Sequence, residues 1–128
     1  MIQEDYCSFE VARLLKDKGF NEDIHTVYEP TFNKFFNYPL KPNSYTNVIA
    51  APTHQMVMKW LREREKLAYS ILIIADGNLG DLHYSYEIQE IDNEFLQVNG
   101  SLDIEDQRFD TYEEAVEAAV KYALENLI

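Results

Sequence analysis

Cys7 and the three histidines are the side chains whose chemistry could make this chain an enzyme. Cys7 precedes a predicted helix, and the backbone N–H groups at a helix N-terminus can lower a thiol pKa and favour the nucleophilic thiolate. A cysteine nucleophile also needs a base, which His25, His54 or His83 could supply if the fold brings one of them close. No local signature supports such a pairing, and a lone cysteine is more typical of packing. A small Cys/His hydrolase-like enzyme is therefore an alternative to a non-enzymatic protein.

The same histidines do not indicate a metal site. None of them has the His-x-x-x-His spacing of zinc ligands on a helix, so surface or capping roles are expected for them. The segment 76–87 resembles a calcium loop at four positions, but its sixth position is Asp81 where the sharp turn requires glycine. The four glycines do not form a phosphate-binding loop either. We therefore predict no catalytic residues, no metal and no cofactor.

An aromatic-rich stretch, 29–51, is the strongest candidate for ligand binding in the sequence. Three of the four prolines interrupt it, so an ordered loop with short strands is predicted in place of a long regular element. Aromatic side chains on loops often mark contact sites, although these rings could equally pack under the loop and close the core. The candidate ligand-binding residues are Phe32, Phe35, Phe36, Tyr38, Tyr45 and His54. A small-molecule or peptide binder that uses the loop 32–45 is the other alternative function.

Charge is distributed very unevenly along the chain. Residues 81–128 carry 13 acidic side chains against only Arg108 and Lys121, and so account for nearly all of the net charge of −12. Such acidity repels nucleic acids and anionic membranes and attracts basic surfaces. We therefore expect a basic protein partner, and neither a nucleic-acid nor a membrane partner. Most of these acidic residues precede the last predicted helix, where they could equally keep sheet edges from pairing with other chains.

The length of 128 residues predicts a single domain, 1–128. The longest apolar run, 71–75, is far shorter than the ~20 residues that a membrane-spanning helix needs. The first residues show no basic region and no long apolar segment of the kind found in secretory signals. A single cysteine excludes an intramolecular disulfide. These observations favour a cytoplasmic location and say nothing about the oligomeric state.

Apolar residues at helical spacing predict three helices, at 8–18, 53–66 and 111–128. Each begins with a serine or threonine whose side chain can accept a hydrogen bond from a backbone N–H in the first turn. These capping residues are Ser8, Thr53 and Thr111. The predicted buried face of the second helix consists of Met56, Val57, Trp60 and Leu61. In the third helix, Glu117 and Lys121 have the i,i+4 spacing of a surface ion pair.

Strand patterns are predicted at 24–28, 69–75 and 82–89, and the second of these is apolar enough to be central in a sheet. Asn99-Gly100 favours a type I′ turn, which would join 95–98 and 101–104 in a hairpin. The order of elements lacks the alternation of a parallel βαβ fold. We therefore predict an α+β fold, with a small antiparallel sheet and about three helices packed on one face.

Three stretches of the chain together resemble a known family. They are CSFEVARLLKDKGF at 7–20, APTHQMVMKWLRE at 51–63 and TYEEAVEAAVKYALENLI at 111–128. The pattern is similar to that of a family of short hypothetical proteins from Bacteroides-type gut bacteria and their prophages. The resemblance excludes the aromatic loop and 92–108, and it implies a mobile-element context without implying site residues.

Charge asymmetry and the lack of a catalytic constellation together favour one function. We expect a non-enzymatic phage-related or accessory protein that acts through protein–protein interaction via an acidic face. From the charge count, that face should lie on the strands before the last helix.

Overall fold

The computed structural model describes residues 4–29, 34–35, 41–45, 48–75, 82–91, 98–100 and 108–128. Within these ranges the helices are α1 (Phe9–Asp17), α2 (His54–Arg64) and α3 (Tyr112–Tyr122). The strands are β1 (Val27–Tyr28), β2 (Lys34–Phe35), β3 (Ile49–Ala50), β4 (Leu67–Ala75), β5 (Leu82–Glu90) and β6 (Val98–Gly100). A 3-10 helix at Pro42–Ser44 and a π-helical segment at Ala123–Leu127 are also present. The predicted α+β class is confirmed.

The first helix begins and ends where its sequence predicts. The Ser8 hydroxyl accepts a hydrogen bond from the Val11 N–H at 3.2 Å and caps the N-terminus of α1. Gly19 follows the helix with φ +91°, a left-handed conformation that glycine adopts without a steric penalty. Val11, Ala12 and Leu15 are buried, as the apolar stripe predicts.

The second helix differs from its prediction at one position. The Thr53 hydroxyl accepts a hydrogen bond from the Met56 N–H at 3.2 Å, so the predicted cap is confirmed. Val57, Trp60 and Leu61 are buried, but Met56 is 43% exposed. Met56 neighbours the exposed Lys59 as well as the buried Trp60, so it lies at the edge of the buried face. Its assignment to the buried face is therefore wrong.

The third helix begins at the predicted cap, because the Thr111 hydroxyl accepts a hydrogen bond from the Glu114 N–H at 3.1 Å. After Tyr122 the chain continues as the π-helical segment. The Lys121 ammonium lies 2.8 Å from a carboxylate oxygen of Glu10 on α1 and does not pair with Glu117. The predicted i,i+4 pair is therefore wrong, and Glu117 is used elsewhere.

The described strands form two antiparallel sheets where one was predicted. Their strand orders are β2-β1-β3 and β4-β5-β6. β4 therefore lies at the edge of its described sheet and is not central. Consistent with that position, the Ile73 side chain is 67% exposed. The continuous apolar run of β4 favours a central strand. In the structure it belongs to an edge strand whose two faces are both partly covered.

The predicted turn at Asn99-Gly100 is wrong. Both residues belong to β6, where Asn99 pairs with Ile88 and Gly100 pairs with Glu87 of β5. Pairing along β5 satisfies the backbone groups of this segment, so the local preference of Asn-Gly for a tight turn is overridden. The remainder of the predicted hairpin, 95–97 and 101–104, lies outside the described residues.

The core lies between the helices and one face of the β4-β5 pair. Tyr69 of β4 is opposite Ile88 of β5, and both side chains are buried on the face that α2 and α3 contact. The Phe20 and Trp60 rings meet edge to face with centroids 5.4 Å apart. In the described part of the chain, no helix is long and apolar enough to cross a membrane.

Candidate functional site

Of the six candidate ligand-binding residues, the structure places His54 beside a cavity. Tyr45 is 52% exposed, and its backbone carbonyl accepts a hydrogen bond from the Lys16 ammonium at 2.7 Å. Phe35 is described only as part of the backbone of β2. Phe32, Phe36 and Tyr38 lie outside the described residues. A ligand site on the aromatic loop therefore stays a prediction, and His54 leads to a different site.

The segment before α1 runs antiparallel to the segment before α2. The Cys7 N–H donates to the Pro52 carbonyl and the His54 N–H donates to the Asp5 carbonyl, both at 2.9 Å. An isolated β-bridge between Tyr6 and Thr53 lies between these two bonds. Because this pairing is made by backbone atoms, it fixes Asp5 beside the first turn of α2.

Glu117 of α3 joins the starts of the other two helices. One carboxylate oxygen, Oε1, lies 2.8 Å from both the Ser8 backbone nitrogen and His54 Nε2. The other oxygen, Oε2, accepts a hydrogen bond from the Ser8 hydroxyl at 2.8 Å. We call these three residues the Glu117 clasp. It ties α1, α2 and α3 together through one side chain.

The clasp determines the charge state of Glu117. Partial burial by itself would raise the pKa of the carboxyl group, because burial disfavours the charged form. Hydrogen bonds from His54 and from the Ser8 hydroxyl and backbone, together with the charge of His54, outweigh burial and hold the pKa of Glu117 below its ordinary value. The clasp therefore contains a carboxylate at neutral pH.

Two cavities open beside the clasp, and both are lined by Asp5 and His54. The inner cavity has a volume of about 200 Å³ and is lined by Glu4, Asp5, Thr53, His54, Gln55, Met58, Tyr69, Tyr112 and Val116. The outer cavity, of about 530 Å³, is lined by Asp5, Tyr6, Ser8, His54, Phe109, Glu113, Glu114 and Glu117. We call the two together the acidic cleft, because five carboxylates line it and none of the lining residues is lysine or arginine.

Tyr69 is one of the residues that line the inner cavity. Its hydroxyl group is shielded from solvent and has no hydrogen-bond partner among the described residues. Burial, followed by the nearby Tyr112, raises the pKa of this phenol, while Arg62 lowers it and Glu117 raises it. The Tyr69 hydroxyl is therefore neutral, with one O–H to donate and lone pairs to accept.

The clasp has the residue types of a hydrolase triad in the wrong order. In a serine hydrolase the histidine lies between the serine and the acid, so that it can take the serine proton. Here Glu117 lies between Ser8 and His54, and the Ser8 hydroxyl also caps α1. The Cys7 side chain is fully buried, out of reach of a substrate. Within the described residues, this order of side chains and the buried thiol do not favour the Cys/His alternative.

The described residues of the cleft are not arranged as a metal site. Within the residues that the structure describes, no three histidine, cysteine or acidic side chains are placed to hold a metal ion. The five carboxylates that line the cleft together produce a negative potential across it.

No family model, curated protein or solved structure matches the chain. The function is therefore argued from the cleft itself.

Sequence reasoning missed most of the residues that make this site. Glu117 has charged neighbours four residues away on both sides, Glu113 and Lys121, which is the pattern of a solvated helix face. Tyr69 begins a predicted strand that is apolar almost throughout, which indicates packing. No local signal could have shown that Ser8 and Glu117 meet, because their contact depends on how the helices pack.

Proposed function

We propose that this protein is a non-enzymatic accessory protein that binds a basic protein partner through the acidic cleft. The observation that carries the proposal is the set of five carboxylates lining the cleft, without a lysine or arginine among its walls. A concave surface of one charge sign concentrates oppositely charged groups and accelerates their association. The same field repels phosphate groups, which disfavours a nucleic-acid partner.

Four of these carboxylates are available to a partner. Glu4, Asp5, Glu113 and Glu114 are exposed, and none of them has a basic partner in the described part of the chain. The fifth, Glu117, is engaged in the clasp. The proposed acidic face is therefore the cleft at the N-terminal end of α3, rather than the strands before it.

The resemblance of three helical stretches to a prophage-associated family supports an accessory role in a mobile element. A basic protein of the same cell is the class of partner we propose. The first point rests on that resemblance and the second on charge, so the direct test concerns the cleft.

Two variants with the same net charge test the proposal. The cleft variant carries E4Q, D5N, E113Q and E114Q. The control variant carries D17N, D23N, E63Q and E125Q, all at exposed positions outside the cleft. Circular dichroism and thermal melting verify that both variants fold like the wild type.

Binding of a fluorescent oligolysine peptide is measured by anisotropy at low and at high salt. The cleft variant should bind about tenfold more weakly than the control variant, because each exposed ion pair contributes up to ~1 kcal/mol. High salt should weaken binding to the wild type and the control alike. Equal binding by the two variants would show that only overall charge matters, and would refute the cleft as the binding site.

A further inference from the structure

Two large apolar side chains extend the helix-covered face of the β4-β5 pair into solvent. Ile73 is 67% exposed and Leu82 is 63% exposed. Ile73 is opposite Tyr84 in the ladder, and Leu82 lies two residues before Tyr84, so all three side chains project from one face of the sheet. This face is the one that packs against the helices, because the Tyr84 ring meets the Tyr112 ring of α3 with centroids 6.2 Å apart.

The direction of α3 explains why this end of the face is exposed. The helix begins with Tyr112 beside Tyr84, and its last residue, Tyr122, meets Tyr86 with ring centroids 6.3 Å apart. It therefore runs along the face away from Leu82. Tyr112 at its start is itself 46% exposed. We call the four side chains at this end of the sheet the apolar patch: Ile73, Leu82, Tyr84 and Tyr112.

The apolar patch adjoins the acidic cleft. Tyr112 lines the inner cavity of the cleft, and the next two residues, Glu113 and Glu114, line the outer cavity. Of the six large apolar side chains that are exposed in the described part of the chain, three belong to the patch. Apolar side chains exposed singly are ordinary on a protein surface, whereas adjacent ones often mark an interaction site.

We propose that the apolar patch is the docking surface for large apolar side chains of the basic partner, in a segment whose basic side chains face the acidic cleft. This inference rests on the proposed function and names the kind of segment that the partner presents, which is an amphipathic basic one. Removal of the patch from water would supply affinity, and the cleft carboxylates would supply electrostatic attraction. The two contributions are separable, because the patch contains no charged side chain.

Charge favours a basic partner over a second copy of this chain as the occupant of the patch. Two patches that face each other would bring the exposed carboxylates of Glu113 and Glu114 from both copies together, in a protein with a net charge of −12. Like charges placed close together oppose association. A basic segment instead meets these carboxylates with the opposite charge.

Two peptides of equal charge separate apolar docking from electrostatic attraction. One is a short fluorescent peptide with four lysines and two leucines, and the other has both leucines replaced by serine. The patch variant combines Ile73→Thr with Leu82→Thr. Its matched control, the surface variant, combines Met56→Gln with Ile91→Thr, because Met56 and Ile91 are exposed apolar residues that do not line the cleft. Circular dichroism and thermal melting verify that both variants fold.

The wild type should bind the leucine peptide about tenfold more tightly than the serine peptide, because the leucines bury apolar surface on the patch. The patch variant should bind both peptides as weakly as the wild type binds the serine peptide, and the surface variant should keep the preference for leucine. Equal binding of the two peptides to the wild type would overturn the docking surface. A preference that persists in the patch variant, or that the surface variant loses as well, would also overturn it.

Two measurements on the wild type test the patch without any substitution. In ¹⁵N-labelled protein, the leucine peptide should shift the amide resonances of Tyr84 and Tyr112, and unchanged resonances at saturation would overturn the proposal. Sedimentation velocity should show that the free protein is a monomer. A dimer that the patch variant dissociates would assign the patch to a second copy and would overturn the proposal as well.

Failure of this inference is distinguishable from failure of the proposed function. If oligolysine binding depends on the cleft carboxylates while the wild type binds the leucine and serine peptides equally, the acidic cleft stands and the apolar patch is wrong. If the cleft variant and its charge-matched control bind oligolysine equally, the proposed function itself is wrong and this inference falls with it.

Discussion

Glu117 is a partly buried carboxylate whose two oxygens are both hydrogen-bonded. Its partners, Ser8 and His54, come from two other parts of the chain. Hydrogen bonds to a charged group contribute more than neutral ones, and removing one partner leaves the others unsatisfied. This residue should therefore contribute to stability as well as to the charge of the cleft.

Replacing Glu117 by glutamine should lower the free energy of unfolding by about 1–3 kcal/mol at neutral pH, because charge-assisted hydrogen bonds are lost. Glu125→Gln is the matched control. Glu125 is exposed and 3.8 Å from Lys121, so its substitution should change stability by less than about 0.5 kcal/mol. Urea denaturation monitored by circular dichroism measures both variants.

The effect of Glu117→Gln should also depend on pH. Because the folded-state pKa of Glu117 is lowered, its stabilisation is complete above the unfolded-state pKa of about 4.3 and is lost as the pH falls through the folded-state value. The stability difference between wild type and variant should therefore shrink in acid. A difference that stays constant from neutral pH down to acid would contradict the role of the ionised carboxylate.

Two buried tyrosines allow a paired comparison of a satisfied and an unsatisfied hydroxyl. The Tyr28 hydroxyl donates to the Cys7 carbonyl at 2.7 Å, and burial, followed by Cys7 and Glu117, raises the pKa of Tyr28 to about 12. Tyr28→Phe should destabilise by about 1–3 kcal/mol, because it leaves the Cys7 carbonyl without this donor. Tyr69→Phe should be neutral or stabilising, since it removes a hydroxyl without a partner. Thermal melting of both variants checks the contrast, and a large destabilisation by Tyr69→Phe would contradict it.

At the level of secondary structure, each described α-helix starts with a hydroxyl cap, but the three caps differ in what else they do. Among the described residues, the Thr111 hydroxyl bonds only to the Glu114 N–H, whereas Ser8 caps α1 and also donates to Glu117. Thr111→Ala should therefore cost about 1 kcal/mol, the usual value for a lost cap. Ser8→Ala should cost about 2 kcal/mol or more, because it removes a charge-assisted hydrogen bond as well.

A double-mutant cycle separates the two roles of Ser8. Ser8→Ala combined with Glu117→Gln should be less destabilising than the sum of the single changes, because both remove the same bond. Thr111→Ala combined with Glu117→Gln serves as the control and should be closer to additive. Additivity in both cycles would show that Ser8 acts only as a cap.

The helices could be predicted from the sequence because their signals are local. Ser8, Thr53 and Thr111 were all identified as caps, and Val11, Val57 and Val116 occupy buried faces. Caps and apolar spacing involve residues within one or two helical turns, so they depend little on how the helix packs in the tertiary structure.

The sheets and the site could not be predicted because their contacts are distant in sequence. Asn99 and Gly100 pair with β5 despite their turn preference. Local spacing predicts that Glu117 pairs with Lys121, but its carboxylate binds Ser8 and Lys121 pairs with Glu10. His54 is a predicted ligand-binding residue, and the structure pairs it with the Glu117 carboxylate, to which no spacing rule relates it.

For the whole molecule, the net charge of −12 on 128 residues should make salt a stabiliser of the fold. Like charges repel one another in the compact state, and added salt screens that repulsion. We expect the melting temperature at neutral pH to rise with sodium chloride concentration. A melting temperature that falls with salt would show that exposed ion pairs such as Lys121–Glu10 outweigh the repulsion.

Salt should change the stability of the fold and the affinity for a basic partner in opposite directions. Salt should strengthen the fold while it weakens attachment of the proposed basic partner to the cleft. A partner released at high salt is therefore released from a folded protein.

The Glu117 clasp also has a consequence for synthesis, because Ser8 and Glu117 are 109 positions apart in the chain. On the ribosome the N-terminal part emerges first, at roughly 5–20 residues per second. Backbone pairing between Cys7 and Pro52 can form early, but the carboxylate that joins Ser8 to His54 is made only with α3. A nascent chain therefore cannot offer a finished cleft to the proposed basic partner until α3 has been synthesised and has docked.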